Sequence, residues 1–331
     1  MLASVYLHYM SLVENTLRSH LPALKTTSNG WLTMNCPMCI QNGQSRPDTK
    51  KRGGLKFEQD RVGYHCFNCS YTTGWRPGQR LGFKLIKLMR VLGIDEGDIQ
   101  RLKIQLWDQV VEDDTIIEEA YKKPDWPEIQ WPWTVRELNL EAAEYLDSRC
   151  VLELSDWYTS ASPIQGMDNR VILPYVSDNK IVGYTARWIG DVPDKKTAKM
   201  VTSRPQSFVF NLDHQSHSRK YTIVTEGEYD ALTLDGVAIM TNTISPEQAK
   251  IIEDIDNEPV VLPDRDKAGL VLAMQAAELG WSVSFPEWPD GIKDANEAAQ
   301  KFGRVAVLQS VLSAIESSPL KIKLLCRRWC V

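Results

Sequence analysis

The sequence lacks any hydrophobic run long enough to cross a bilayer, and its first ten residues lack the basic segment that begins a secretory signal. It also lacks the phosphate-binding pattern Gly-x-x-x-x-Gly-Lys-Ser/Thr, which argues against a P-loop motor enzyme. Its 331 residues, 43% of them hydrophobic, are enough for two or three globular domains. We therefore expect a cytoplasmic protein with no membrane contact.

Cysteine is scarce, with seven residues, and four of the seven form two Cys-x-x-Cys pairs. Each pair can supply two thiolates to one tetrahedral Zn²⁺, and a chain without a secretory signal rarely uses cysteines for disulfides. The 26 residues between the pairs exceed the usual spacing, and we predict a loop insertion over residues 42–56. Two alternatives stay open: His65 replaces one cysteine, or the four thiols are buried without a metal. The predicted zinc ligands are Cys36, Cys39, Cys66 and Cys69.

The overall net charge of −5 conceals an asymmetry along the chain. Residues 1–90 contain 13 Lys and Arg against 4 Asp and Glu, so the rest of the chain is strongly acidic. Cations interleaved with aromatic rings are typical of single-stranded nucleic-acid binding, although rings can equally complete the core of a small domain under a solvated basic surface. The residues concerned are Arg46, Lys50, Lys51, Arg52, Lys56 and Arg61, with Trp31, Phe57, Tyr64 and Phe67.

Acidic residues follow two apolar runs in the second half of the chain. Glu226 comes directly after the run that begins at Tyr221, and Asp264 and Asp266 follow the run that begins at Val260. Because the carboxyl ends of parallel strands share one edge of a sheet, we expect these carboxylates to converge there. Converging carboxylates repel one another unless a divalent cation lies between them, and Mg²⁺ or Mn²⁺ accepts such oxygen ligands. The alternative for either aspartate is an N-cap on the following helix.

The segments between these two regions indicate how they are joined. Residues 91–135 are acidic and rich in Pro and Trp, which predicts a linker. Residues 137–149 have helical apolar spacing, and residues 170–187 contain two alternating runs around a polar turn, which predicts a β-hairpin. An amphipathic helix is predicted over residues 4–24, packed on the zinc module.

The order of these motifs resembles that of the Toprim-type DNA primases of bacteria and phages, and most of all the T-even phage primases. The knuckle Tyr-His-Cys-Phe-Asn-Cys at 64–69 resembles half of the primase zinc ribbon. The hairpin Asn-Arg-Val-Ile-Leu-Pro at 169–174 resembles the basic subdomain of the RNA polymerase domain. The segments Thr-Glu-Gly-Glu-Tyr-Asp-Ala-Leu (225–232), Pro-Asp-Arg-Asp-Lys-Ala-Gly (263–269) and Gly-Ile-Lys-Asp-Ala-Asn-Glu (291–297) resemble the three Toprim motifs.

The resemblance implies an α/β protein in which a zinc ribbon is joined by a linker to an α+β RNA polymerase subdomain and a Toprim parallel-sheet domain. The host cytoplasm is the expected location if the protein is phage-encoded. The implied divisions are a zinc-binding, DNA-recognising domain at 1–90, the linker at 91–135, a basic subdomain at 136–218, the Toprim domain at 219–315 and a tail at 316–331.

The resemblance also implies synthesis of short RNA primers from ribonucleoside triphosphates on single-stranded DNA, with structural Zn²⁺ and catalytic Mg²⁺ or Mn²⁺. Glu226, Asp264 and Asp266 would coordinate the catalytic cation, and Asp230 and Asp294 match further acidic positions, although each can be a helix-start or turn residue. Arg170, Arg187 and Lys199 would neutralise phosphates, with exposed strand-edge charge as the alternative.

Some features depart from the family pattern. Arg265 stands where a small residue is common, and Thr241-Asn242 replaces a Gly-Thr, while the carboxylates of the motifs are intact. The expected helicase partner is a separate protein, because the chain lacks the P-loop motif of a helicase. A metal-dependent Toprim nuclease and a non-catalytic, zinc-containing DNA-binding adaptor are the alternatives, and a topoisomerase is disfavoured because it would need an additional domain with a catalytic tyrosine.

Overall fold

The computed structural model describes residues 2–21, 24–107, 124–131, 134–194, 198–217 and 219–330. The chain divides into two compact units, Met1–Glu119 and Ala120–Val331. Within the described ranges, no helix combines the length and the apolar character that a membrane span requires. The central part of the predicted linker, residues 108–123, lies outside the described residues.

The first unit is a five-stranded antiparallel sheet with three helices. The strands lie in sequence order across the sheet, and each pairs with its neighbour. The predicted N-terminal helix is present as Leu2–Arg18, and it places Met10, Val13 and Leu17 in the core at the spacing of one helical face. The elements are α1 (Leu2–Arg18), β1 (Lys25–Thr26), β2 (Leu32–Met34), β3 (Gly53–Phe57), β4 (Val62–Cys66), β5 (Thr72–Trp75), α2 (Phe83–Val91) and α3 (Glu96–Gln105).

Two expectations for this unit need correction. The loop between the cysteine pairs ends at residue 52 rather than 56, because β3 begins at Gly53 and pairs with both β2 and β4. Residues 96–105, predicted as part of the linker, form helix α3. Asp95 caps its first turn, and Ile99 and Leu102 are buried in the core of the first unit. Buried apolar side chains thus outweigh the acidic composition of this segment.

The second unit contains two small antiparallel sheets and one larger sheet. The predicted helix and hairpin are present as α4 and the pair β8 and β9, which are antiparallel. Strand β10 pairs with β9, and β6 pairs with β7. The elements are β6 (Val135–Arg136), α4 (Leu140–Ser148), β7 (Thr159–Ser160), β8 (Arg170–Ser177), β9 (Lys180–Trp188) and β10 (Met200–Ser203), with short 3₁₀ helices at Leu152–Leu154, Ile164–Asn169 and Leu212–His214.

The larger sheet is the parallel sheet predicted from the two strand-then-acid motifs. Its order is β12-β11-β13-β14-β15; the first four strands are parallel, and β15 is antiparallel to β14. This confirms the mixed α/β fold class. The elements are β11 (Tyr221–Thr225), α5 (Glu228–Leu234), β12 (Val237–Ala238), α6 (Pro246–Asp254), β13 (Glu258–Val261), α7 (Lys267–Leu279), β14 (Ser282–Ser284), α8 (Ala295–Phe302), α9 (Arg304–Ser313) and β15 (Ile315–Glu316).

Residues after 315, predicted as a tail, include a further helix, α10 (Pro319–Trp329). Pro319 opens the helix, where its missing N–H costs no hydrogen bond. Ile322 and Cys326 are buried, and the Cys326 thiol lies 3.7 Å from the sulfur of Met274 on α7. The helix therefore belongs to the packed structure of the second unit.

Candidate functional site

The strand order brings the first two acidic motifs to one edge of the parallel sheet. Val224 of β11 pairs with Val261 of β13, so the two strands end side by side. Glu226 follows the end of β11, and Asp264 lies three residues beyond the end of β13. The carboxyl ends of neighbouring parallel strands thus carry both side chains, as the sequence predicts.

Asp266 combines helix capping with a second contact. Its Oδ1 accepts hydrogen bonds from the main-chain N–H groups of Ala268 and Gly269 at 2.9 and 3.0 Å, at the start of α7. Gly269 packs so close to the main chain of Asp264 that an added Cβ would lie 2.0 Å from the carbonyl oxygen of Asp264. Glycine is therefore required for this turn. The N-cap alternative holds for Asp266, whose capping contacts use Oδ1 and leave Oδ2 for the contact with Lys293.

Lys293, from the third motif, lies between the two aspartates. Its Nζ is 2.9 Å from Oδ2 of Asp266 and 3.3 Å from Oδ2 of Asp264. The hydrogen bond to Asp266 raises the pKa of the Lys293 ammonium, with a further contribution from Asp264. Burial raises the pKa of Asp264 to about 6 although Lys293 lowers it. The pair of aspartates thus already attracts one positive charge.

Glu226 has a carboxylate oxygen that nothing among the described residues satisfies. Its Oε1 is buried and has no hydrogen-bond partner in that part of the chain. Burial, followed by the charges of Asp264 and Asp266, raises the pKa of Glu226 to about 7. A buried carboxylate oxygen without a partner, near two more carboxylates, fits a divalent cation, because such a cation supplies the missing partner.

Asp230 and Asp294 form the deeper part of the acidic cluster. Oδ1 of Asp230 accepts a hydrogen bond from the main-chain N–H of Asn296 at 2.8 Å, and Asp294 caps α8 by accepting from the N–H of Glu297 at 2.7 Å. Burial raises the pKa of both carboxyls, and the neighbouring Asp294 adds to the effect on Asp230. Both aspartates therefore fix local structure as well as facing the cluster.

Acidic and basic side chains share the wall of one cavity of about 480 Å³. Arg149 and Arg187 lie over the ring of Tyr229, with guanidinium carbons 5.6 and 4.8 Å from its centroid. Arg149 and Arg204 were not predicted as site residues, because a helix end and a loop give no chemical pattern. The charged residues of the wall are Glu226, Glu228, Asp230, Asp264 and Asp294, with Arg149, Arg187, Arg204 and Lys293.

Two of the three basic residues expected to bind phosphates are not part of this wall. Arg170 is 1% exposed, and its guanidinium donates to the main-chain carbonyl groups of Ala186 and Lys199 at 3.2 and 3.1 Å. Its donors are therefore directed at the β8, β9 and β10 region, which explains its position away from the acids. The Lys199 side chain is exposed. Only Arg187 of the predicted set lines the cavity.

The four predicted cysteines form a cluster in the first unit. All four are buried, and their sulfur atoms lie within 4.8 Å of one another, the only such group of potential ligands in the described ranges. Sγ of Cys36 is 3.8 Å from that of Cys69, close to the roughly 3.8 Å that Zn–S bonds of about 2.3 Å give in a tetrahedron. The donor set and its spacing fit Zn²⁺, and His65 is not part of it.

The surface beside this cluster combines a ring with cations. Phe67, between Cys66 and Cys69, is 78% exposed and its ring centroid lies 4.6 Å from that of His65. Arg46, Lys50 and Lys51 are exposed. Tyr64, in contrast, is buried in the core. Of these two rings, Tyr64 therefore serves the core and Phe67 is accessible at the surface.

Comparison with known proteins gives a partial structural likeness. No protein-family model and no curated protein sequence matches the chain. The structure is similar to the zinc-binding and RNA polymerase domains of the Aquifex aeolicus primase, at 16% identity and a TM-score of 0.44, over 94% of this chain and 85% of that one. It is also similar to a DnaG primase catalytic domain bound to single-stranded DNA, at 16% identity and a TM-score of 0.44, over 57% of this chain and 76% of that one. A third similar structure is the RNA polymerase domain of the Mycobacterium tuberculosis primase, at 19% identity and a TM-score of 0.41, over 57% of this chain and 71% of that one.

Proposed function

We propose that the protein is a DNA primase of the Toprim type, which synthesises short RNA on a single-stranded DNA template. The observation that carries the proposal is the cavity in which Glu226, Asp264 and Asp294 face Arg187 and Arg204. Carboxylates suit divalent cations, and guanidinium groups suit phosphate oxygens. Joining two ribonucleotides requires both, because charge must be balanced on the attacking hydroxyl and on the triphosphate.

The acidic side of the cavity would hold the catalytic cation. Bound Mg²⁺ or Mn²⁺ would activate the 3′-hydroxyl and stabilise the charge on the triphosphate during in-line displacement of pyrophosphate. Glu226 and Asp264 would ligate through carboxylate oxygens, and Asp266 through the Oδ2 that Lys293 contacts. Asp230 and Asp294 would hold these ligands in place, Asp230 through the hydrogen bond it accepts from Asn296 and Asp294 by capping α8.

The basic side would bind the triphosphate. Arg149 and Arg187 are held over the ring of Tyr229, and the Nε groups of both arginines are buried without a hydrogen-bond partner in the described part of the chain. A phosphate oxygen would satisfy these donors. Lys199 remains a candidate for template contact from its exposed position.

The first unit would bind the template. The four-cysteine cluster would hold Zn²⁺ and fix the knuckle on which Phe67 is exposed, with Lys50 and Lys51 nearby in the sequence. An exposed ring supports stacking of an unpaired base, and the surrounding cations support phosphate binding. Membership in the T-even phage branch, a cytoplasmic location and a separate helicase partner are parts of this proposal.

The experiment that tests the proposal incubates the full chain with single-stranded DNA, labelled ribonucleoside triphosphates and Mg²⁺. Short labelled RNA complementary to the template is the expected product, with omission of the template as a control. A DNA template cut into fragments without RNA synthesis would instead identify a nuclease. Template binding without either product would identify a non-catalytic adaptor.

A further inference from the structure

Arg265 lies between the two aspartates of the second motif and connects that motif to the third. Its Nη1 donates to the carbonyl oxygens of Trp288, Pro289 and Ile292 at 3.2, 3.1 and 3.3 Å. Its main-chain N–H donates to the carbonyl oxygen of Lys293 at 2.9 Å. One residue thus attaches the turn after β13 to the loop that precedes α8.

This loop carries the other half of the acidic site. It ends in Lys293 and Asp294, which line the same cavity as Asp264. The distances of 2.9 and 3.3 Å from Lys293 to the two aspartates depend on how this loop is placed relative to the turn. A change in the Arg265 contacts would therefore move the site's groups without removing any of them.

Trp329, in the last turn of α10, holds the guanidinium from its other side. The guanidinium carbon of Arg265 lies 4.7 Å from the centroid of the Trp329 ring. The ring itself contacts Trp288 at 5.7 Å and Phe285 at 6.2 Å, both in the segment after β14. These aromatic contacts fix the plane against which Arg265 rests.

We infer that Arg265 and Trp329 are positioning residues of the acidic site, with Arg265 joining the second and third motifs and Trp329 of α10 keeping its guanidinium in place. The inference rests on the proposed function for its catalytic consequence, but its effect on cation binding does not depend on the reaction. The C-terminal helix accordingly contributes to the site. Arg265 preserves the geometry of the site by contacts that a small residue at this position cannot make.

The test measures Mn²⁺ affinity of the full chain by electron paramagnetic resonance, and the Mg²⁺ concentration that gives half-maximal RNA synthesis. Arg265→Ala should weaken Mn²⁺ binding about 10- to 100-fold, the usual effect of removing a group that orients metal ligands. Trp329→Ala should weaken it about fivefold, and Trp329→Phe should restore most of the affinity because it keeps an aromatic face. Arg327→Ala and Leu324→Ala, both exposed on α10, are the matched controls and should change nothing.

A double variant separates positioning from general destabilisation. Trp329→Ala should have no further effect on Mn²⁺ affinity in the Arg265→Ala background, because the two residues act as a unit. If thermal unfolding shows that Arg265→Ala does not fold, Arg265→Lys replaces it in the test. Lysine keeps the positive charge but cannot donate to all three carbonyl oxygens with the same geometry, so this variant should also weaken Mn²⁺ binding.

Mn²⁺ affinity within twofold of wild type in a folded Arg265 variant would overturn the inference, as would an equal loss from Trp329→Ala with and without Arg265. The proposed function fails differently. If the wild-type protein binds Mn²⁺ more tightly than Arg265→Ala does but makes no RNA, the inference stands and the primase assignment is contradicted.

Discussion

The main-chain N–H of Asn296 donates to Oδ1 of Asp230 at 2.8 Å, joining the third acidic motif to the first across 66 residues. Asp230→Ala would leave this buried N–H without a partner, so we predict a loss of about 1–3 kcal/mol in the free energy of unfolding. Asp230→Asn keeps an oxygen at this position and should be close to wild type in stability. Denaturant unfolding of both variants checks this, with exposed Glu278→Ala as the control.

The stability of the protein without Mg²⁺ should fall as pH rises from about 4.5 to about 7. Burial and the neighbouring aspartates raise the pKa of Glu226 from 4.5 to about 7, so the folded state binds more protons than the unfolded state in this range. Glu226→Gln removes this titrating group and should reduce the slope, while Asp264, whose pKa burial raises to about 6, keeps part of the pH dependence. Thermal unfolding in Mg²⁺-free buffer measures this, and equal slopes for both proteins would contradict the assigned burial of Glu226.

The sequence predicted the acidic side of the site better than the basic side. Glu226 and Asp264 could be placed because each follows a buried run whose end marks a strand terminus. Arg149 and Arg204 could not, since nothing in a helix end or a loop indicates which surface it faces. Arg170 was expected near phosphates because its hairpin resembles the basic subdomain of primases, but its donors are used by main-chain carbonyl groups.

The fold shows the same limit of local patterns. Hairpin β8 and β9 and the four-cysteine cluster follow from alternation and cysteine spacing, which are local signals. Helix α3 was not predicted, because the charged residues around Ile99 and Leu102, such as Glu96 and Asp98, make the segment look like a linker although both apolar side chains are buried. Helix α10 was predicted as a tail because the contacts of Trp329 are with residues 40 or more positions earlier.

Loss of one zinc ligand should affect the first unit selectively. Cys36→Ser removes one of four thiolates, and bound structural Zn²⁺ supplies much of the folding free energy of a small module. Zinc content should fall from near one per chain to well below it, with faster hydrogen exchange over residues 30–75 and unchanged exchange in the parallel sheet. Exposed Cys150→Ser is the control. A wild-type protein purified without zinc would count against the site.

Phe67 and the exposed lysines should contribute to template binding in different ways. Phe67→Ala should weaken single-stranded DNA binding by about 1–3 kcal/mol, the usual value of one stacked base, and leave the salt dependence unchanged. Lys50→Ala should reduce the steepness of the plot of log affinity against log salt concentration by the amount that corresponds to about one phosphate contact. Fluorescence anisotropy across a salt series measures both, with Ile40→Ala as an exposed apolar control. Wild-type affinity in Phe67→Ala would move base stacking to another surface.

The central claim is that the carboxylates at the ends of β11 and β13 hold the cation for RNA synthesis, and Asp264→Asn tests it most directly. The amide keeps the size of the side chain but removes the negative charge that binds a cation. Template-dependent RNA synthesis at saturating nucleotide should fall by at least about 100-fold, while thermal unfolding and zinc content stay at wild-type values and exposed Glu278→Gln remains fully active. RNA synthesis by folded Asp264→Asn at close to the wild-type rate would contradict the account.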